Sequence, residues 1–549
     1  VQLRKIWILA ALFLLAQTAH AATVYVAQTA GPLTCNGGTQ TAIAVASITW
    51  TAGNTYFLCG TFTYSGGESG AISVGGSGTS GNLITIRFDT GANATAPYWG
   101  SGGFITISGQ GFILIDGSPT STPCGYVNSA DVACNGEIQA TANGASLANQ
   151  VANSHGINLG SGTHDIEVRN VNCQNLFVPV QNNTNNETTS GINNSACVWW
   201  YPSGGGGGGN INVHNNEVNN SFNGVLLAYQ GSNAGMHVDN NWMTNIEVGA
   251  QVGAGTTGAS ITSGSINNND FSNMANWDTS NSCGGSCPNH HEFVHLYTQQ
   301  SGATITNFTV AGNYFHGTMG YSLTAGLYIE CDGGGSCTAP TSINATVFNN
   351  VAISEDVNSA IYTGAGGNGI FAFEGSTVAA YNNTFYSVGH GSDLNDAMQC
   401  EAGALVTMKN NLFVGMSAAY NVSGSCTITS DYNDAFGMAS FAYNTTCGSV
   451  CALSAWKTST SQDTNTVTGN PNLNLSSTPE YQLSSGSAAA AVGVNLTSLS
   501  ITGLDSDQLG NARPASTAWD MGAFNAGSGG PTGSSALGGI KLTSGASIQ

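Results

Sequence analysis

Apolar and polar residues alternate in short runs along most of this chain, and the runs recur at intervals. Ile211-Asn212-Val213-His214 and Val347-Phe348-Asn349 show the alternation, and Val406 to Phe413 (VTMKNNLF) is a complete unit of run, Asn pair and short apolar step. A period of two marks a strand with one face buried. The pair recurs at Asn215-Asn216, Asn240-Asn241, Asn268-Asn269, Asn349-Asn350, Asn382-Asn383 and Asn410-Asn411, with single-Asn relatives at Asn313 and Asn433. Successive landmarks lie 25, 28, 44, 37, 33, 28 and 22 residues apart, one coil of about two dozen residues plus insertions. The pattern predicts a solenoid in which each coil contributes short strands and the Asn pair turns a corner between them.

Asn suits that corner for two reasons. Its amide can donate to the Asn of one neighbouring coil and accept from the other when strands stack about 4.7 to 4.9 Å apart, and it tolerates the left-handed backbone of a sharp bend. A helical or leucine-rich repeat needs a 3.6-residue period or a Leu consensus, and neither is present.

On these residues the chain resembles the right-handed parallel β-helix proteins of the pectate-lyase-like group, over about Thr23 to Phe524. The segments TVYVAQTAG (from Thr23), GNTYFLCGTF (from Gly53) and SGTSGNLITIRFD (from Ser77) are similar to the opening coils of secreted polysaccharide lyases of the chondroitinase B and alginate lyase kind. The stretch DSDQLGNARPASTAWDMGAF (Asp505 to Phe524) resembles a closing segment of bacterial β-helix proteins. The resemblance implies an all-β right-handed parallel β-helix acting on or binding a polysaccharide, and it specifies a fold better than a reaction.

Arg4-Lys5, the apolar run Ile6 to Ala16 and Ala19-His20-Ala21 have the layout of a secretory leader, with cleavage expected near Ala21. Residues 1–22 are therefore assigned to a signal peptide, 23–75 to an N-terminal cap and first strands, 76–443 to the body, 444–524 to C-terminal coils or cap, and 525–549 to a Gly/Ser-rich disordered tail. No transmembrane segment is expected, and the secreted product is expected to be a monomer. Fourteen Cys in an exported chain read as disulfides. Cys173-Cys197 and Cys400-Cys426 have spacings near one coil, which would join equivalent positions on stacked neighbours. Cys283-Cys287, Cys331-Cys337 and Cys447-Cys451 would staple loops, and Cys35, Cys59, Cys124 and Cys134 complete the set.

Charge narrows the partners. Eight Lys+Arg stand against 29 Asp+Glu, which argues against nucleic acid, since phosphate contacts need a basic surface. A polyanionic glycan would also be repelled unless cations intervene.

The longest intervals bracket the densest polar constellation. CGGSCPNHHEFVHLY carries His290, His291, Glu292 and His295, and the next coil carries LYIECD. With Val294, Leu296, Leu327 and Ile329 inward, alternation places His295, Tyr297, Tyr328, Glu330 and Asp332 outward. Aligned on the following turn, His295, Glu330, Glu374 and Glu401 form a predicted column. Carboxyl pairs on adjacent or alternate coils suit glycosidic hydrolysis, and clustered carboxylates also suit Ca²⁺. The candidate catalytic set is His295, Glu330, Glu374, Glu292 and Tyr297, with Glu330 first as acid or base. His291, Tyr328, Glu401, Trp277 and Trp242 are candidates for substrate binding, and Glu330 with Asp332 for Ca²⁺. A zinc site from Cys283, Cys287, His290 and His291 conflicts with oxidised thiols. Ca²⁺-assisted β-elimination on uronates is the second reading, and the Lys/Arg pair of the resembling lyases has no counterpart here. Arg169 is expected to pair with Asp165 or Glu167. A non-catalytic adhesive or carbohydrate-binding rod is the third reading.

Overall fold

The computed structural model describes residues 21–143, 153–176, 195–202, 209–232, 234–274, 291–319, 324–331, 342–354, 367–387, 394–444, 446–476, 481–484 and 486–526. Residues 1–20, within the expected leader, Trp277, Cys283, Cys287, His290, Asp332, Cys337 and the residues beyond 526 lie outside them.

The predicted strands form a parallel β-helix with three ladders. One coil shows the plan: Ala234–Asp239 belongs to the first ladder, Asn240-Asn241 turns the corner, and Trp242–Ala254 runs through the second ladder, bends, and continues in the third. The next coil begins with Ser260–Asn267, parallel to Ala234–Asp239. First-ladder strands make a 15-stranded sheet, and the other two ladders join in a 23-stranded sheet because strands such as Trp242–Ala254 continue around the bend. Inward residues of all three ladders form one long core, in which Ile211, Met236, Ile266, Val310, Val347 and Ala380 are buried from coil to coil.

The two members of each Asn pair have separate tasks. The first adopts the left-handed conformation, with φ of 55° at Asn215, 58° at Asn240, 52° at Asn268, 55° at Asn349, 51° at Asn382 and 58° at Asn410; Gly312 and Tyr432 take this place before the single Asn residues. The second points into the coil and builds the ladder. Each backbone N–H and each Nδ2 from Asn216 through Asn241, Asn269, Asn313, Asn350, Asn383 and Asn411 donates to Oδ1 of the next, at 2.9–3.1 Å, ending on Asn433. Nδ2 also reaches a backbone carbonyl, as in Asn350 to Val310 at 2.8 Å, so a buried amide is fully satisfied. A second left-handed corner stands five residues on, at Asn220, Asn245, Asn273 and Gly317, and turns the chain from the second ladder to the third.

Both ends are closed. At the start, the antiparallel hairpin Gly31–Cys35 and Gly38–Ala44 covers the edge of strand Thr23–Ala27. At the far end, Asn433 donates its N–H to Thr466 Oγ1, and the helix Leu453–Thr460 sets Trp456 against Tyr420. The C-terminal segment then turns back rather than extending the stack. Its Leu496, Leu504 and Trp519 cover Ala311, Phe348 and Tyr381 on the outside of the first ladder, and Leu509, Ala523 and Phe524 cover Val351 and Ile353 on the second. Those outward apolar side chains would otherwise face water, which is why the segment lies on a flank and not on the end.

Five complete disulfides lie among the described residues: Cys35–Cys59, Cys124–Cys134, Cys173–Cys197, Cys400–Cys426 and Cys447–Cys451. Cys331 is also disulfide-bonded. Cys400–Cys426 links adjacent coils as expected, although not at equivalent positions, since Cys400 is level with Val422. Cys173–Cys197 does not join equivalent positions: Cys173 is in the second ladder and Cys197 follows in the third ladder of the same coil, so the bond crosses the interior. The near-coil spacing arises from the long connection between strands Val171–Leu176 and Ala196–Trp200. Arg169 bonds Glu167 at 2.8 Å, as one of the two expected partners, and also Asp116 at 3.1 Å.

Candidate functional site

The third ladder places its outward residues in a row along the helix axis. Register aligns Trp199 with Leu226, Gln251, His295, Tyr328, Phe371, Gln399 and Asn421 on successive coils. Tyr328 stacks on His295 at 5.3 Å and on Phe371 at 4.9 Å between ring centroids. The inward partners Val294, Leu296, Leu327 and Ile329 are in the core, so the alternation assigned both strands correctly.

His295 and Glu330 meet on a diagonal. His295 Nε2 lies 3.0 Å from Glu330 Oε1, and the Tyr328 hydroxyl donates to Glu330 Oε2 at 2.6 Å. The Gln251 side-chain nitrogen lies 3.3 Å from His295 Nδ1. With Gln251 donating, Nδ1 is the acceptor and Nε2 carries the proton that faces Glu330. Tyr297 packs against His295, with ring centroids 4.8 Å apart. Its ring depends on Gly253 in the coil before, where a Cβ would stand 2.3 Å from the ring. The His295 and Glu330 side chains are nearly buried, retaining 9% and 5% exposure.

Three further titratable groups, Glu292, His291 and Glu247, lie near this pair. Glu292 is wholly buried, and burial pushes its carboxyl up to about 7; His295 and His291 pull it down, and Glu330 raises it. His291 Nε2 lies 2.9 Å from Glu247 Oε1, with both side chains fully buried. Glu247 lies in strand Trp242–Ala254 just past the bend marked by Asn245, and His291 immediately precedes strand Glu292–Thr298, which pairs with it on the next coil. A buried carboxyl held near neutrality beside a His–carboxylate pair can exchange a proton at physiological pH.

The predicted column is not formed as drawn. His295 is level with Tyr328, Phe371 and Gln399, while Glu330 is level with Tyr297. Aligning on the following turn misplaces residues because the third-ladder strands end at different levels: Ala372 pairs with Ile329, two residues short of Cys331. Glu401 instead accepts from Gln399 Nε2 at 2.7 Å, and Glu374 occupies the turn after Phe373. Trp242 stands on the second ladder between Glu217 and Asp270, away from the third-ladder row. As for Ca²⁺, both Glu330 oxygens are engaged by His295 and Tyr328, and the described residues contain no group of three side chains suited to a metal. Asp332, the other residue of that pair, lies outside them.

Sequence reasoning did not find Gln251, Glu247 or Gly253. Each acts through its level on a neighbouring coil, for which the sequence carries no motif. It also missed Asp396, whose carboxyl is pushed up to about 6 by burial and accepts from Asn421 Nδ2 at 3.0 Å.

No family model matches this chain, and no curated protein matches it. Among solved structures it is similar to the crystal structure of pectate lyase Pel9A, with 15% identity over 93% of this chain and 98% of that one and a TM-score of 0.35.

Proposed function

We propose that the protein is an exported polysaccharide-cleaving enzyme that hydrolyses glycosidic bonds of an extracellular or cell-wall glycan on the third-ladder face. The observation that carries this reading is the His295–Glu330–Tyr328 cluster, set within a row of flat and amide side chains that follows the helix axis. Flat rings suit sugar faces, and amides suit sugar hydroxyls. Glu330 is the acid or base at the scissile bond, oriented by Tyr328 and sharing a proton with His295. Water adds to the anomeric carbon, the glycosidic C–O bond breaks, and the leaving oxygen takes a proton. Glu292 is a positioning residue that acts through His295. Hydrolysis ranks above β-elimination because the cluster holds carboxylates and imidazoles and no Lys or Arg to neutralise a uronate.

A glycan panel assayed with and without EDTA tests the reading, scored for new reducing ends and for the ultraviolet absorbance of an unsaturated product. Reducing ends without absorbance are expected. Absorbance that EDTA abolishes would replace hydrolysis with metal-dependent elimination, and binding without either product would make the protein a carbohydrate-binding rod.

A further inference from the structure

The outward Asn of each corner is covered along most of the stack. Cys124 donates its N–H to Asn170 Oδ1 at 3.2 Å, and Asn215 Nδ2 donates to Cys124 O at 3.0 Å. Farther along, Asn349, Asn382 and Asn410 donate to carbonyls of the returning C-terminal segment, at Ser506, Asp520 and Val494. Between these two covers, the side chains of Asn240 and Asn268 make no hydrogen bond to any described residue. Beside them a cleft of about 560 Å³ opens on the outer face of the first ladder, closed on one side by Ile501 and Thr502. That volume is within the range of about 300–1,000 Å³ usual for small-molecule sites.

The cleft is internally organised. His237, Ser265, Thr309 and Thr346 are level on four successive coils. Asp239 is buried and accepts from Ser265 Oγ at 2.9 Å and from the Asn267 backbone N–H at 2.8 Å. Ser265 Oγ lies 2.7 Å from His237 Nδ1. With the hydroxyl proton directed to Asp239, His237 donates from Nδ1 and leaves Nε2 as an acceptor. The carboxylate is thus engaged within the protein, and the other polar groups lining the cleft are hydroxyls and amides, with no Lys or Arg. Such a surface matches an uncharged polyhydroxyl ligand. An anion would find no Lys or Arg among the lining residues to neutralise it.

We infer that this cleft is a second carbohydrate site, taking a neutral oligosaccharide unit on a different ladder from the proposed cleavage site. The site binds without cutting and does not depend on the reading of the third ladder.

Calorimetric titration of the Glu330→Gln protein with neutral tetrasaccharides of glucose, mannose, galactose and xylose, and with tetragalacturonate, tests it. At least one neutral ligand is expected to bind. Adding Thr346→Trp, which fills the cleft from its side, or His237→Phe is expected to weaken that binding by about tenfold or more. The thermal midpoint should be unchanged in the Thr346→Trp protein. Absence of binding by every neutral tetrasaccharide overturns the inference, as does neutral binding that survives both substitutions. Tetragalacturonate binding abolished by Thr346→Trp overturns the ligand class. Failure of the third-ladder proposal is read separately, as cleavage of the panel that Glu330→Gln leaves intact.

Discussion

Individual carboxyls in this acidic chain differ according to what surrounds them. Asp116 is held below the ordinary range despite burial, because Asn170, Arg169, Ser118 and Ser121 bond or face it. The Asp434 carboxyl has neither hydrogen bond nor cation among the described residues, and burial pushes it up to about 7. A carboxyl with a raised folded pKa stabilises the fold below its unfolded pKa and loses that contribution as pH rises through the folded value. Asp434→Asn is therefore expected to raise the thermal midpoint, and to raise it more at pH 8 than at pH 5. An equal or smaller gain at pH 8 would mean that Asp434 does not titrate in the folded protein. Glu292 follows the same sign, so Glu292→Gln should flatten the loss of stability between about pH 4.5 and 7. At the proposed site, Glu330→Gln should lower kcat/KM by about a hundredfold or more with folding intact. His295→Ala should do likewise, and retention of full activity by either protein would put the chemistry on another face.

At the scale of the element, a left-handed corner begins each coil, a second follows five residues on in several coils, as at Asn220, Asn245 and Asn273, and the Asn ladder ties one coil to the next. Asn350 donates to Asn383 and Val310 and accepts from the backbone and side chain of Asn313. Replacement by Ala removes the side-chain bonds and leaves Asn313 donors buried without a partner, at about 1–3 kcal/mol for each unsatisfied group. Asn350→Ala is thus expected to destabilise the protein by several kcal/mol, measured as a shift in the denaturant midpoint at unchanged m-value. At Asn240 the corner needs only the left-handed backbone, so Asn240→Gly should cost at most a few tenths of a kcal/mol, within the general tolerance of Gly for this conformation. Near-equal losses at the two positions would contradict the division of labour within the pair.

At the scale of the whole molecule, the returning C-terminal segment completes the fold. Arg513 is fully buried, and burial lowers its guanidinium to about 10. It donates to Asn349 Oδ1 at 2.9 Å and to carbonyls of Gly522 and Ala523, and it lies 5.5 Å from the Trp519 ring. Arg513→Ala breaks this clamp and leaves acceptors buried without donors. The segment should then become open to limited proteolysis while the coils before Asn313 keep their hydrogen-exchange protection. Uniform loss of protection would show instead that the segment and the whole stack unfold together. Among the described residues no helix is long and apolar enough to cross a membrane.

The sequence determined the coil by itself, because both of its signals are local. Alternation assigns inward and outward faces within a strand, as at Val294-His295-Leu296-Tyr297, and the Asn pair marks a backbone bend and a ladder position that any coil of this kind needs. Cysteine spacing likewise identified Cys173–Cys197 and Cys400–Cys426 as bonded pairs. Tertiary structure alone decided what stands beside what. Whether Glu330 meets His295 or Glu374 depends on register between coils, and register depends on the lengths of connections whose paths no local pattern fixes. For the same reason Cys173–Cys197 crosses one coil instead of joining two, Trp242 faces away from His295, and Gln251 and Gly253 serve the site without any motif to announce them. The flank position of the C-terminal segment follows from outward apolar residues at Phe348, Tyr381 and Val351, which can be matched to Leu504, Trp519 and Leu509 only after the coils are stacked.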